Sequence, residues 1–386
     1  MIPFDYIIKN AHIVDPACGV DETGTLYVDG GFIVRCDCPE KAEAREEVID
    51  AKGCLVLPGL IDFHTHCNHA VSPLGISADM HLIPNGITAT VDMGTTGHVG
   101  YKSFRDGVIG PSSSTIKAYL NLASAGCPSE DLLEDYRHEK LNFRETARVF
   151  NENRDTLLGI KVRLGNGAPG LGVAPLRDAV AMAEMLSCPV CVHIGGLESK
   201  IWEVCDLLRP GDILTHMFDG KGETILDENG KVHPSVRAAR ERGVIFDLAA
   251  AKRNYNLSVA KKAMDDGFLP DVLSSDVTTL SVYKNHMFML PMIMSWIMAL
   301  GMEKKEVIRA VTGTPARLMG MEGVIGTLAP GAYADIAIFR ETPANIMYRD
   351  FFCNGPVNVR ELLVPKLTMK KGQMCYKDMA FAFGCV

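Results

Sequence analysis

Histidine and aspartate side chains follow directly after a short apolar run near the start of the sequence. This run ends in Asp62-Phe63-His64-Thr65-His66. If the run is a strand, its side chains alternate between two faces, and Asp62, His64 and His66 share one of them. Two neutral imidazoles on one face can bind one metal ion, and zinc-like ions are their usual partners. The pair is a candidate metal site, although His-x-His also occurs in protein cores.

Three later apolar runs end in further candidate ligands. His193 and His216 lie at the ends of the fifth and sixth runs, and Asp276 follows the eighth within Ser274-Ser275-Asp276. A lone histidine at such a position is more often structural, and Asp276 could instead cap a helix. Four histidines at the ends of apolar runs are harder to explain as independent core residues. We therefore predict that these side chains converge on a metal centre.

The fourth run, residues 158–164, carries two cations within an apolar pattern. Strand alternation places Lys161 and Arg163 on the face opposite Ile160 and Val162. A buried ammonium beside divalent cations is disfavoured, because burial and like charge both oppose the charged form. A deprotonated Lys161 could add CO₂ and become a carbamate anion that bridges two metals; the alternative is an ion pair with an acidic residue. Arg163 could bind a substrate carboxylate in bidentate fashion or form a structural salt bridge.

Eight apolar runs that alternate with helix-like segments would position these residues. Buried strands that alternate with helices are typical of a parallel (β/α)₈ barrel of the TIM type, in which chemistry occurs at the carboxyl ends of the strands. The candidate ligands fall at these ends. The runs span residues 55–61, 87–91, 116–122, 158–164, 190–194, 212–217, 244–248 and 272–273.

Both ends of the chain differ from this pattern and have the character of short strands joined by tight turns. Asp29-Gly30-Gly31, between two apolar runs, is a hairpin signal. We therefore predict an α/β protein with a barrel domain over residues 58–322. Residues 1–57 and 323–386 are predicted to combine into a small β-sandwich domain.

The composition excludes several classes of protein. The 386-residue chain has 39 Lys and Arg against 47 Asp and Glu, a net charge of −8, and no basic stripe that could offset nucleic-acid phosphates. The most apolar stretch, residues 287–300, is shorter than the ~20 residues of a membrane-spanning helix and contains Pro291. No secretion signal opens the sequence, so we predict a cytoplasmic protein that binds neither nucleic acid nor membrane.

Together these motifs resemble the amidohydrolase superfamily in its two-metal, carboxylated-lysine form. The resemblance rests on Pro58-Gly59-Leu60-Ile61-Asp62-x-His64-x-His66, on the strand-end residues above and on Gly313-Thr314-Pro315-Ala316-Arg317. Strings such as residues 159–163 and 208–212 are similar to the dihydroorotase-like amidohydrolase/deacetylase branch. That branch has Gly-His-Gly after strand seven and a His after the strand-eight Asp, where this sequence has Ala249-Ala250-Ala251 and Thr278. Substrate identity therefore does not carry over.

The resemblance also implies a ligand set and a mechanism. One divalent ion would be held by His64, His66 and Asp276, and a second by His193 and His216. Carboxylated Lys161 would bridge the two ions, with zinc as the expected metal. A hydroxide between the ions would attack the substrate carbonyl, while Asp276 serves as general base and then general acid. Self-association into a homo-oligomer follows from the resemblance alone.

We therefore predict a metal-dependent hydrolase that cleaves a small amide, either an N-acyl amino acid or a cyclic amide. Its partner would be a small-molecule substrate, which carries a carboxylate if Arg163 recognises one. Two alternatives stay open. An esterase acting on an acylated α-hydroxy acid could use the same metals. A non-enzymatic barrel scaffold would be expected to lack one or more ligands, whereas all six occur in this sequence.

Overall fold

The structure is a computed structural model that describes residues 2–129, 134–250, 254–284 and 289–383. Fifteen strands in these ranges form two sheets. In chain order they are β1 (Ile2–Asp15), β2 (Val20–Asp29), β3 (Phe32–Val34), β4 (Ala42–Asp50), β5 (Leu55–Pro58), β6 (Leu60–Thr65), β7 (Ile87–Met93), β8 (Thr115–Asn121), β9 (Leu157–Arg163), β10 (Val190–His193), β11 (Ile213–Thr215), β12 (Ile245–Asp247), β13 (Ile336–Tyr348), β14 (Val357–Lys370) and β15 (Gln373–Lys377).

Eleven α-helices occur in the same ranges, most of them between barrel strands or after them. They are α1 (Ala78–His81), α2 (Tyr101–Phe104), α3 (Phe143–Glu152), α4 (Ala174–Leu186), α5 (Ile201–Leu207), α6 (Pro234–Glu241), α7 (Leu257–Asp265), α8 (Leu290–Ala299), α9 (Lys304–Ala310), α10 (Gly313–Leu318) and α11 (Met379–Ala382).

Strands β6 to β12 form a curled sheet in which each strand runs parallel to its neighbours. Most of their residues are buried, as expected of parallel strands covered by helices. Ile160 and Val162 of β9 belong to the main apolar cluster together with Leu176 and Ala179 of α4. The predicted barrel strands are therefore confirmed for seven of the eight runs.

The eighth run is not a continuous strand. Residues 272–277 instead form two isolated parallel bridges, one between Val272 and Asp247 and one between Val277 and Thr65. Asp276 between them adopts a left-handed φ of 50°. This conformation breaks the extended backbone that a regular strand requires. The segment nevertheless lies between β12 and β6, so Asp276 reaches the same edge as the ends of the other strands.

The second sheet contains both ends of the chain. Its strand order is β15-β14-β13-β5-β1-β2-β3, and β4 also pairs with β1. In the region predicted as a β-sandwich the strands are joined into one branched sheet, because β1 is long enough to pair with β4 and β5 in turn. The first predicted barrel run, residues 55–61, is divided at Gly59, with β5 in this sheet and β6 in the barrel. A Cβ at Gly59 would lie 2.3 Å from Thr88 Oγ1, so this close junction requires glycine.

The apolar stretch near residue 290 forms the buried helix α8. Trp296 and Ile297 of this helix are buried in the main cluster. Residues 287 and 288 of the stretch lie outside the described residues. Of the helices that the described ranges contain, none is long and apolar enough to cross a membrane.

Candidate metal centre

His64 and His66 at the end of β6 face the carboxylate of Asp276. The Nε2 atoms of His64 and His66 lie 3.5 and 3.1 Å from Asp276 Oδ1. One ligand atom from each of the three residues can be chosen so that all lie within 4.8 Å of one another. His216 approaches from the other side, with its Nε2 3.8 Å from Asp276 Oδ2. Three imidazoles thus surround one carboxylate at the carboxyl end of the barrel.

The Nδ1 atom of His64 has buried hydrogen-bond acceptors on its other side. It lies 3.1 Å from Asp247 Oδ2 and 3.0 Å from Thr215 Oγ1. The Thr215 hydroxyl donates its proton to Asp247 at 2.8 Å, so it can only accept from His64. The ring proton of a neutral His64 is therefore on Nδ1, which leaves a lone pair on Nε2.

The same reasoning fixes the ring of His66. Its Nδ1 lies 2.7 Å from Thr95 Oγ1, and that hydroxyl donates to Asp92 Oδ2 at 2.8 Å. Backbone N–H groups of Cys67 and Thr95 hold the Asp92 carboxylate in place. Since Thr95 has only one hydroxyl proton, His66 must donate from Nδ1. Nε2 of His66 is then also a lone-pair donor.

His216 completes the set. Its Nδ1 donates to the carbonyl oxygen of Ala249 at 2.9 Å, because a carbonyl can only accept. Its Nε2 is buried and has no hydrogen-bond partner among the described residues. An unpartnered buried nitrogen costs free energy unless something else binds it. Nε2 of His216 is therefore a candidate ligand atom for a group that the described residues do not supply.

Burial keeps the imidazoles of His64, His193 and His216 neutral. It lowers the pKa of His64, it lowers that of His216 to about 3, and it lowers that of His193 well below its usual value. Burial raises the pKa of Asp276, whereas positive charge at His64 and His216 and a hydrogen bond from His66 lower it below its usual value. The tautomers above supply neither, because they turn Nε2 lone pairs toward the carboxylate. Such atoms repel one another unless a cation lies between them, so the donor set fits a divalent metal.

The backbone at this edge is strained at three consecutive strand ends. His216, Ala249 and Asp276 have φ values of 64°, 41° and 50°. Non-glycine residues in this region cost on the order of 1 kcal/mol each and cluster at functional sites. With these backbone conformations, the His216 ring donates to the Ala249 carbonyl, and the Asp276 carboxylate lies near the same ring.

Lys161 is buried on β9, as predicted, and its amine contacts a thiol. Its Nζ lies 3.6 Å from the thiol sulfur of Cys191, and no ion pair to it occurs in the described part of the chain. The predicted alternative of an acidic partner is thus not found there. Gly94 makes room for this side chain, because a Cβ at Gly94 would lie 2.7 Å from Lys161 Cγ.

His193 lies beside His216, with 4.2 Å between the ring centroids. A Cβ at Gly195 would lie 2.4 Å from His193 Nε2, so this nitrogen faces the Gly195 backbone. Nδ1 is then the ring atom left for a ligand. The four sequence-predicted histidines are thus close together, since the ring centroids of His64 and His66 are 6.0 Å apart and those of His64 and His216 are 5.2 Å apart.

Arg163 is next to His193 in the pairing of β9 with β10. Nη1 of its guanidinium donates to Glu134 Oε2 at 2.8 Å and contacts Cys127 Sγ at 3.5 Å. Glu134 is almost fully buried and also accepts from Asn121 and Tyr136. The structural salt bridge considered for Arg163 is therefore present. Its side chain is still 28% exposed, and its Nε has no partner in the described ranges.

The Asp62 carboxylate contacts the backbone beside the predicted ligands, where it accepts from the N–H of His64 at 3.4 Å. It accepts hydrogen bonds from the backbone N–H and hydroxyl of Ser275, at 3.0 and 2.5 Å. The pairing of β6 with β7 shifts register between Asp62 and Thr65, so strict alternation fails here. Asp62 therefore holds Ser275, the residue that precedes Asp276.

Sequence reasoning missed Asp247, Asp92 and Glu134. Asp247 had a usable signal, since it ends the seventh apolar run as His193 and His216 end theirs. Asp92 had the same kind of signal, since it follows the second apolar run, whereas Glu134 had none because it comes from a loop. Of the replaced family positions, Ala251 lies outside the described residues, and Thr278 accepts backbone hydrogen bonds from Ser281 and Val282.

Comparison with known proteins is consistent with this geometry. The chain matches the Amidohydrolase family over residues 55–375. It is 30% identical to "Deacetylase Atu3266" of Agrobacterium fabrum over 366 residues, covering 93% of this chain and 89% of that protein. It is similar to the crystal structure of an adenine deaminase, with 25% identity, a TM-score of 0.87 and coverage of 97% and 100%. It is also similar to that of a dihydroorotase, with 25% identity, a TM-score of 0.84 and coverage of 96% and 98%.

These similarities support a hydrolase and set aside the alternative of a non-enzymatic scaffold. The family match extends from β5 across the barrel and into β15. Family members typically use a divalent metal centre, and the His64, His66 and Asp276 group provides a place for one. The chain belongs to the Amidohydrolase family.

Proposed function

We propose that this protein is a metal-dependent hydrolase that removes the acyl group from a small amide of the N-acyl amino acid type. One observation carries the proposal: the Nε2 atoms of His64, His66 and His216, whose ring protons lie on Nδ1, surround the carboxylate of Asp276. The name of the deacetylase relative supports a linear acyl substrate over a cyclic amide.

The residues that would hold the metal fall into two groups. His64, His66 and Asp276 form the first, and His193 and His216 form the second. Lys161 would join them as a carbamate, formed when the neutral amine bonds to the carbon of CO₂ and releases a proton. When bound, divalent ions such as zinc polarise the scissile carbonyl and lower the pKa of water.

Asp276 would move the proton during hydrolysis. A carboxylate oxygen of Asp276 accepts a proton from the attacking water and delivers it to the leaving nitrogen. A C–O bond forms, the C–N bond breaks, and the products are a carboxylic acid and an amine. A general acid–base group of this kind contributes typically ~10² to 10⁴ in rate.

Arg163 would bind the carboxylate of the substrate. Glu134 holds the guanidinium through Nη1, and the buried Nε has no hydrogen-bond partner among the described residues. A guanidinium can offer two parallel hydrogen bonds to a carboxylate. The pairing of Arg163 with His193 in the sheet supports a position near the metal-binding residues.

The wider organisation remains as the sequence predicts. We propose a catalytic domain over residues 58–322, with residues 1–57 and 323–386 as a second domain. A cytoplasmic location and a homo-oligomer are predictions from the sequence alone.

The proposal is tested with protein purified without chelator. Metal content is measured, and hydrolysis is followed with N-acetyl amino acids, cyclic amides and O-acetyl hydroxy acids. We expect bound divalent metal and the fastest turnover with the N-acetyl amino acids. The Asp276→Asn variant controls for contaminating activity and should lose about 10³-fold in kcat/KM. Metal-loaded protein that cleaves no amide in the panel would contradict the proposal.

A further inference from the structure

Asp247 lies behind the candidate metal centre, on β12, one of the barrel strands that supply none of the predicted ligands. It is the last residue of β12 and is completely buried. Its carboxylate meets His64 Nδ1 at 3.1 Å, on the side of the ring opposite the Nε2 atom that faces Asp276. The imidazole thus separates Asp247 from the other carboxylate.

Hydrogen bonds to Asp247 commit both of its oxygens. Oδ2 accepts from the Thr215 hydroxyl at 2.8 Å and is the oxygen nearest His64 Nδ1. Oδ1 accepts from the Ser274 hydroxyl at 2.5 Å, and Ser274 Oγ in turn accepts from the backbone N–H of Ala249 at 3.1 Å. Burial raises the pKa of Asp247, but these hydrogen bonds and His64 hold it below its usual value.

The network links three consecutive strand ends to one ring. Thr215 ends β11 just before His216, Ala249 follows β12 and accepts a hydrogen bond from His216 through its carbonyl, and Ser274 lies two residues before Asp276. A shift of the Asp247 carboxylate would therefore displace the His64 ring. It would also disturb the hydrogen bonds of Thr215 and Ser274, which lie next to His216 and Asp276.

We infer that Asp247 is a positioning residue that holds His64 with its proton on Nδ1 and its Nε2 lone pair directed at the metal. The inference rests on the proposed function. A carboxylate behind a ligand histidine fixes the tautomer and raises ligand basicity, and its loss typically lowers metal affinity about 10- to 100-fold. Asp247 thereby gives the seventh strand a role at the centre without ligating the metal.

The test compares zinc affinity, by competition with a chelator, in wild-type protein and two variants. Asp247→Asn removes the charge and keeps the shape, and we expect affinity to fall by about 10- to 100-fold. Thr215→Val removes only the hydroxyl that donates to Asp247 and should give a smaller loss. The matched control is Asp15→Asn. Asp15 ends β1 in the second sheet, and its completely buried carboxylate accepts hydrogen bonds from the Thr327 hydroxyl and the Leu328 N–H. The zinc affinity of this variant should equal that of the wild type.

A spectroscopic measurement separates positioning from a general effect on folding. In cobalt-loaded protein, the Nδ1 proton of a ligand histidine gives a shifted, solvent-exchangeable NMR signal. Asp247→Asn and Thr215→Val should move one such signal, and Asp15→Asn should move none. Unchanged affinity and signals in both site variants would overturn the inference, as would equal losses in Asp15→Asn. If wild-type protein binds no metal, the proposed function fails instead. If Asp247→Asn does not fold, Thr215→Val decides the question.

Discussion

The two sides of the candidate metal centre are built differently. On the side of β6, the Nδ1 protons of His64 and His66 are directed to hydroxyl and carboxylate groups, and their Nε2 atoms face Asp276. On the side of β9 and β10, Lys161 contacts a thiol, and Arg163 is held by Glu134. The first side presents an anion and lone pairs to a cation. The second presents a lysine that has no acidic partner within the described ranges.

This difference shows which part of the centre the amino acids complete by themselves. The first side can bind a divalent ion with protein atoms alone. A second ion beside it would add positive charge next to Lys161, which is tolerable only if the amine becomes an anion. The structure thus gives a physical reason why the second side would need CO₂, while the first side does not.

Lys161→Ala gives the largest expected effect and tests this asymmetry. We expect the variant to lose the second metal and about 10³-fold in kcat, because the bridging anion is gone. Short carboxylic acids added to the assay should partly restore both. Lys117→Ala on the neighbouring strand β8 is the control. Wild-type metal content and activity in Lys161→Ala would show that the two sides do not differ in this way.

Arg163→Met tests substrate recognition on the second side. A hydrogen bond to a charged group contributes roughly 1.5–3 kcal/mol, so KM for N-acyl amino acids should rise by about 10- to 100-fold. Neutral N-acyl amines should be little affected. Glu134→Gln, which weakens the hold on the guanidinium, should give a smaller increase in KM. Equal effects of Arg163→Met on acidic and neutral substrates would leave only the structural salt bridge.

The pH dependence of stability gives the smallest expected effect and tests the neutral histidines. The pKa values of His64, His193 and His216 are depressed in the folded protein, to about 3 for His216. As pH falls below about 6.5, the unfolded chain binds protons that the folded one does not. Metal-free protein should therefore keep this stability above pH ~6.5 and lose about 1 kcal/mol per histidine by pH ~5.5.

Urea midpoints of metal-free protein at these two pH values measure the loss. His216→Gln should show a weaker pH dependence, whereas His138→Gln, at a partly exposed ion pair with Asp178, should follow the wild type. A wild-type midpoint that is the same at both pH values would mean that the rings are not held neutral by burial.

Much of the centre could be predicted because barrel geometry is regular. Apolar runs followed by His193, His216 and Asp276 place these residues at one edge, and alternation on β9 puts Lys161 opposite Ile160. The structure brings these side chains to the same edge. Prediction failed where the backbone is irregular. The register shift after Asp62 and the left-handed φ at Asp276 follow from local contacts with Ser275 and Thr90 that no sequence period encodes.

The hydrogen-bond partners of the ligands were harder to predict than the ligands. Asp92 reaches His66 only through Thr95, and Glu134 meets Arg163 from a separate segment. Such contacts depend on tertiary packing rather than on spacing along one strand. The single branched sheet at the chain ends likewise follows from the length over which β1 can pair, which a pattern of short strands does not reveal.

Anomalous X-ray scattering at the zinc absorption edge tests the central claim most directly. Crystals would be grown with zinc and bicarbonate. The account predicts an anomalous peak about 2.0–2.2 Å from Nε2 of His64, Nε2 of His66 and a carboxylate oxygen of Asp276. Crystals in which these three side chains contact one another with no peak between them would contradict it.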